Sequence, residues 1–303
     1  MTSDERHHLL AEQQFLREQL AQLPASALLT RKSTEARLRA VETRLQEAPE
    51  SCEAQPARAR LTFSGAPVVD SRGVSADFGM RAVSSFSEAV TAVAASLSAP
   101  LAASGPIPNR GQNPLLITST ALGSFGFELE EQSSGPDAPP ERSAMATALE
   151  RTHALLASTF GTDEELADVA SETDRRAVDK VRTFLKVLAD HDAVCTLQVA
   201  DRIVRYIDAG QVKRSLQRLA EDNLHEDQIT LTGHFTGLLP QARTFEFRTD
   251  VGAQTLRGKI APTVGDIAQI NRHLGETVPI DVLTTQVGNG RPRYLLVRSP
   301  RWN

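Results

Sequence analysis

The spacing of apolar residues changes along the chain and divides it into three parts. Apolar positions recur every three, four or seven residues near the N-terminus, mix helical and alternating spacing in the middle, and mostly alternate towards the C-terminus. Helical periodicity is typical of helices, and two-residue alternation is typical of half-buried strands. The pattern predicts an α+β protein: an N-terminal antiparallel helical hairpin, a central α/β body with a helix-rich second half, and a C-terminal small β-barrel.

Changes in composition suggest the domain boundaries. The hairpin takes residues 1–48, and residues 49–60, rich in Pro, Glu and Ala, have the composition of a linker. The central α/β domain follows at residues 61–223, and the barrel occupies residues 228–303.

Two short stretches of helical spacing, separated by Pro24, predict the hairpin. Each has a seam of only three or four apolar residues, too few for independent stability, so the hairpin must pack on its own domain or on a second copy. We expect the second arrangement, a homo-oligomer, because the rest of both helices is strongly polar. The predicted oligomerisation residues are Leu9, Leu16, Leu20, Leu23, Leu38, Val41 and Leu45.

Residues 115–131 combine an apolar run, a Gly-Ser-Phe-Gly break and an alternating tail. We interpret this stretch as the central strand pair of the main domain. A long helical pattern with a wide apolar face, residues 75–97, is expected to cover that sheet and gives a β-α-β order. Helical patterns then dominate as far as residue 223, with one strand at residues 193–199.

The C-terminal part contains five strand-like runs with a short helical interval between the third and the fourth. That order, over about a quarter of the chain, resembles small barrels of the OB or SH3-like type. Gly288-Asn289-Gly290 between two alternating runs predicts a hairpin.

The composition and charge of the chain indicate the cellular compartment and exclude some classes of ligand. Apolar residues make up 40% of the chain, as in an ordinary globular protein. The formal charge is −5, which argues against a protein whose whole surface binds nucleic acid. The two cysteines, Cys52 and Cys195, do not form a disulfide framework, so we expect a reducing compartment. No apolar run approaches the roughly 20 residues of a membrane helix. We therefore expect a cytoplasmic protein without membrane insertion.

No familiar catalytic motif is present. The Gly-Ser-Phe-Gly break lacks the spacing and the lysine of a phosphate-binding loop, and Leu122 replaces the first glycine of a nucleophile elbow around Ser124. Glu128 and Glu130 share a strand face and could hold a divalent cation, but a solvated face explains them equally well. We predict no catalytic, cofactor-binding or metal-binding residue, and no cofactor.

Charge is unevenly distributed along the chain. From Thr230 onward nine Arg or Lys face five acidic residues, about +4, which leaves about −9 for the rest. A basic barrel face with aromatic side chains can hold single-stranded nucleic acid, and it can equally contact a protein partner. The residues predicted for nucleic-acid or partner binding are Arg291, Arg293, Tyr294, Arg298 and Arg301.

The architecture resembles that of bacterial accessory or sensor components of multi-protein systems, in antiviral defence or stress response. Because no catalytic motif is present, this architecture predicts a non-enzymatic, oligomeric interaction protein with a protein partner, which is our leading prediction. One alternative is nucleic-acid binding through the basic barrel, and another is an enzyme with a site at residues 123–131.

Overall fold

The structure is a computed structural model. It describes residues 9, 12, 13, 15–17, 19, 20, 27–47, 56–108, 111, 114–121, 125–132 and 143–302. These residues belong to two compact units, one ending at residue 47 and the other beginning at Pro56.

The first unit contains helix α1, Leu28–Glu47, and helical residues between positions 9 and 20. Leu9, Leu16 and Val41 are buried against one another, and the half-buried Leu38 packs against them. The predicted seam is therefore used, at least in these four positions, for contacts within the chain.

The contacts in this unit do not support the predicted antiparallel hairpin. The ion pairs Glu12–Arg37 and Arg17–Glu42 both join residues 25 positions apart. In an antiparallel pair of helices, the partner's number falls as the residue's number rises, so the separation would not stay constant. Periodicity located apolar seams, but it carries no information about the relative direction of two helices.

The other three predicted oligomerisation residues are described by the structure to different extents. Leu20 is half-buried, Leu23 lies outside the described residues, and Leu45 belongs to α1 without a described side chain. Oligomerisation through this region stays a prediction.

The second unit is built on a five-stranded sheet with the order β4-β5-β1-β6-β7. Its strands are β1 (Arg58–Gly65), β4 (Leu115–Ala121), β5 (Gly126–Glu131), β6 (Ala193–Val199) and β7 (Arg202–Arg205). Two short strands, β2 (Val68–Val69) and β3 (Gly73–Val74), form a separate ladder. Every neighbouring pair in the five-stranded sheet is antiparallel, so the described body is α+β and not the predicted α/β.

Residues 115–131 do form a strand pair, but at the edge of the sheet and not at its centre. Strand β1 is central, pairing with β5 on one side and β6 on the other. It begins at Arg58, so the last three residues of the predicted linker belong to the sheet, where Ala59 is buried. Alternation identifies a strand without indicating its neighbours, which is why the position in the sheet was wrong.

Five helices accompany the sheet: α2 (Ala76–Ser98), α3 (Ala144–Ser158), α4 (Asp163–Ser171), α5 (Arg175–Asp190) and α6 (Ala209–Arg218). They share one apolar core with the buried residues of β1 and β6. Phe86 of α2 and Phe184 of α5 meet edge to face, with ring centroids 5.5 Å apart. A capping box is present at the start of α4, since Thr162 and Glu165 each accept a hydrogen bond from the other's backbone N–H.

The C-terminal region is a closed barrel of five strands, which confirms the predicted small β-barrel. The strands are β8 (Leu224–Leu239), β9 (Thr244–Thr249), β10 (Thr255–Ile260), β11 (Thr277–Val287) and β12 (Arg293–Leu296), with helix α7 (Ile267–Arg272) between β10 and β11. Their order around the barrel is β10-β12-β11-β8-β9, and only the β10–β12 pair is parallel among the paired strands described.

Among the helices that the structure describes, none is both long enough and apolar enough to span a membrane.

Candidate functional site

The barrel is joined to helix α4 by polar contacts. The guanidinium of Arg293 donates a hydrogen bond of 3.2 Å to Oδ2 of Asp168, and Lys259 forms an ion pair with Glu172, just beyond the end of α4. The hairpin between β11 and β12 also reaches the helix, because a Cβ on Gly288 would lie only 3.0 Å from Oδ2 of Asp163. The glycine thus permits a close approach between the barrel and the body.

A groove of about 630 Å³ lies between α4 and the side of the barrel formed by β9, β10 and β12. We call it the barrel groove. Its apolar lining includes Leu238, the buried ring of Phe245 and the half-buried Tyr294, and the exposed Leu239 also lines it. The volume is in the range of pockets that hold a small molecule or a few side chains of a partner.

The charged residues lining the barrel groove are paired across it or along its wall. Besides Arg293 with Asp168 and Lys259 with Glu172, Nε of Arg257 donates a hydrogen bond of 2.9 Å to Oε1 of Glu246. These side chains are partly exposed, so each pair adds little to stability and can exchange its partner at low cost. The groove therefore combines an apolar lining with a rim of both charges.

Burial raises the pKa of Tyr294 above that of an ordinary tyrosine. The phenol therefore stays protonated over the physiological pH range, and its hydroxyl can donate and accept a hydrogen bond.

The structure separates the five residues predicted for nucleic-acid or partner binding. Arg293 and Tyr294 line the barrel groove, whereas Arg291 and Arg301 are exposed and do not line it. Arg298 lies 3.5 Å from Asp281 in an ion pair. A continuous basic face made by all five residues is therefore not formed.

Trp302, which follows Arg301 in the chain, stacks on His273. Their ring centroids lie 4.4 Å apart at an interplanar angle of 18°. The indole face turned towards His273 is consequently unavailable to a nucleic-acid base.

The carboxylates considered for an enzyme site lie on the sheet and are paired with arginines. Glu128 is 3.4 Å from Arg60, and Glu130 is 3.1 Å from Arg58, both across the β5–β1 pair. Gly123 and Ser124 lie outside the described residues. Within the part of the chain that the structure describes, no group of three His, Cys, Asp or Glu residues could hold a metal ion.

Most residues of the barrel groove were not predicted from the sequence. Leu238, Phe245, Lys259 and Asp168 come from four different elements, and no local pattern connects them. One signal was readable: Arg257 and Lys259 are two positions apart on one strand, so both point outward on the same face. Their apposition to α4 is visible only in three dimensions.

The chain matches no protein-family model and no curated protein. We therefore infer function from the geometry of the described surfaces.

Proposed function

We propose that this chain is a non-enzymatic interaction protein that binds a segment of another protein in the barrel groove. The carrying observation is the combination of an apolar lining with a rim on which Arg257, Lys259 and Arg293 alternate with carboxylates. A peptide segment can place an apolar side chain inside while its own charges replace members of the rim pairs. Such a protein would serve as an accessory or sensor component of a larger system.

The distribution of charge favours a protein over a polyanion. A phosphate chain in the barrel groove would lie beside Asp168, Glu172 and Glu246, each of which already holds one of the groove's cations. Like charges at such distances oppose binding. A segment carrying both signs of charge meets no such opposition.

The topology of the barrel adds to this proposal. We interpret the barrel as the OB type, because five strands enclose a Greek-key barrel with a helix between the third and fourth strands. In that type, oligonucleotides and oligosaccharides bind on the face of the second and third strands, which here are β9 and β10, so the topology supports the place of the site and not the class of ligand. The barrel groove lies on this side.

Leu239→Glu is expected to weaken capture of the partner at least about tenfold, because a carboxylate would replace an apolar group that the ligand covers. Val251→Glu is the matched control, since Val251 is also an exposed apolar residue of the barrel but does not line the groove. Each full-length variant serves as bait for affinity purification from the native cell, followed by titration of the purified partner. Equal binding by the two variants would contradict the proposal.

Nucleic-acid binding is the second candidate, favoured by the presence of Tyr294 beside three cations on this side of the barrel. Binding of a fluorescent single-stranded oligonucleotide would weaken steeply with salt and with Tyr294→Ala, because phosphate contacts and base stacking would carry it. Absence of binding at low salt would remove this candidate.

We also propose the N-terminal unit as a homo-oligomerisation element. Its buried residues contact one another, but Phe15 exposes 61% of its surface, which is unusual for a large aromatic side chain in a polar helix. Phe15→Lys in the full chain would lower the molar mass measured by light scattering if this element joins copies.

A further inference from the structure

The two edges of the central sheet differ in their protection. Strand β7 has four residues, and both of its ends carry an exposed arginine, Arg202 and Arg205. Strand β4 has seven residues, none of them charged, and Leu116 to Thr120 are all exposed. Natural proteins protect sheet edges with short strands and charged side chains, because an open edge pairs with other chains. Within the described part of the chain, edge β7 is protected in both ways and edge β4 in neither.

Strand β4 also lies beside an apolar groove. Leu116 and Ile117 are exposed on opposite faces of the strand, as successive strand residues must be. On the side of α2, a groove of about 520 Å³, which we call the β4 groove, is lined by Ile117 together with the exposed Met80 and the half-buried Val83. Among the described residues, backbone groups without a strand partner and apolar side chains therefore occur together along one edge.

We propose that β4 pairs antiparallel with β4 of a second copy of this chain and joins the two sheets into one. The β4 groove would then receive apolar side chains from the partner copy. This dimer goes beyond the proposed function, since it uses neither the barrel groove nor the N-terminal unit.

The charges on the two edge strands favour a second copy of β4 as the strand that pairs with β4. Because β4 has no charged residue, a two-fold pair of identical strands creates no like-charge repulsion. Pairing of β4 with β7 would be head-to-tail and would continue into open filaments, and β7 is a short strand whose charged side chains protect it from pairing. A β4–β4 contact closes on itself after two copies.

Strand β4 has an irregularity near its middle. The register shifts between Ile117 and Ser119, which marks a β-bulge opposite β5. A bulge disrupts the ladder at the bulged residue and is one of the features that protect an edge, so the proposed pairing uses the residues on either side of it. We expect the two-fold axis to pass near Thr118, so that the residues before the bulge pair with those after it.

Three substitutions, each made in the full chain, test separately whether the β4 edge, the β7 edge or the N-terminal unit joins copies. Ile117→Lys changes the β4 edge, Ile203→Lys changes the β7 edge, and Phe15→Lys changes the N-terminal unit, at side chains that are 57%, 60% and 61% exposed. Their matched exposure makes an effect on folding equally small in all three, which melting curves followed by circular dichroism would verify.

Light scattering after gel filtration gives the result. If the β4 contact alone joins copies, the unmodified chain has twice its chain mass of 32.9 kDa, and a tetramer forms if the N-terminal unit joins copies as well. In both cases we expect Ile117→Lys to raise the dissociation constant of the β4 contact at least about tenfold. Ile203→Lys is expected to leave the dimer unchanged. Hydrogen exchange provides a second measurement that needs no variant: amides of residues 115–121 should exchange more slowly as the protein concentration rises.

The outcomes are distinct. A tetramer that Ile117→Lys and Phe15→Lys each reduce to a dimer would support both surfaces. An unmodified chain that is monomeric would overturn the β4 dimer, and so would a dimer that dissociates with Phe15→Lys but not with Ile117→Lys. Leu239→Glu should leave the mass unchanged, so failure of the barrel-groove proposal is recognised separately.

Discussion

Glu226→Gln is expected to remove a loss of stability that the natural chain suffers as the pH rises from about 4.5 to about 7. Burial raises the pKa of Glu226 from 4.5 to about 7, and Arg175 opposes this change only in part. The side chain is 9% exposed at the start of β8, and the guanidinium of Arg175 lies 3.9 Å away. The folded protein therefore keeps a proton that the unfolded chain releases.

The surroundings of Glu226 explain why one arginine is not enough. Arg175 also lies 3.7 Å from Asp179 and 3.6 Å from Glu221, and Asp174 adds a further negative charge from the start of α5. On the barrel side, the residue directly opposite is Thr285, which is buried and uncharged. The negative charge of Glu226 is thus poorly compensated from both sides.

The sign of the effect follows from proton linkage. Between pH 4.5 and about 7 the folded state binds more protons than the unfolded state at this group, so the free energy of unfolding falls as pH rises. The favourable contribution is complete below the unfolded pKa and is lost as the pH passes the folded pKa. Its size is at most about 3 kcal/mol, because a tenfold difference in proton affinity between the two states corresponds to about 1.4 kcal/mol.

Urea unfolding at both ends of this pH range gives the measurement. The free energy of unfolding of Glu226→Gln, relative to the natural chain, should rise with pH by up to about 3 kcal/mol. Glu221→Gln is the control, because Glu221 is near the same arginine but 72% exposed, and its difference from the natural chain should stay nearly constant. A pH-independent difference for Glu226→Gln would contradict the expectation.

Gly126→Ala is expected to destabilise the central sheet by more than about 3 kcal/mol, beyond the usual range of single substitutions. Gly126 pairs with Thr62 where β5 meets β1. An added Cβ would lie 2.2 Å from the carbonyl oxygen of Leu61 and 2.5 Å from Cα of Thr62. Both obstacles are backbone atoms, so relief requires the two paired strands to separate.

Gly73→Ala is the matched control for this substitution. A Cβ at Gly73, in strand β3, would meet no atom within 4 Å, so its effect should stay within about 0.5 kcal/mol. Urea unfolding of both variants tests the pair, and similar stabilities would show that β5 and β1 can separate without cost.

The spacing of apolar residues and glycines was sufficient to predict most of the secondary structure of the C-terminal region. Alternation and glycines predicted five strands, the short helix between the third and fourth, and the hairpin at Gly288, all of which the structure contains. The long helix α2 was predicted for the same reason, and the capping box of α4 likewise joins residues only three positions apart. Periodicity and capping act between residues a few positions apart, so the sequence displays them directly.

The barrel groove is formed by contacts between residues far apart in the sequence, which no local sequence pattern indicates. Arg293 and Asp168 are 125 positions apart, and their contact converts a predicted basic face into a groove with both charges. The pairing of Glu128 and Glu130 with arginines of β1 likewise replaced a candidate metal site by ion pairs.

The sequence by itself located most of the helices and strands and the small C-terminal barrel, but it did not indicate strand β7. Only the tertiary structure decided that residues 115–131 lie at an edge of the sheet and that the body's sheet is antiparallel. The physical reason is the range of the interactions. Secondary structure follows from neighbours in the chain, whereas strand order, charge pairing and groove shape follow from which distant segments the core brings together.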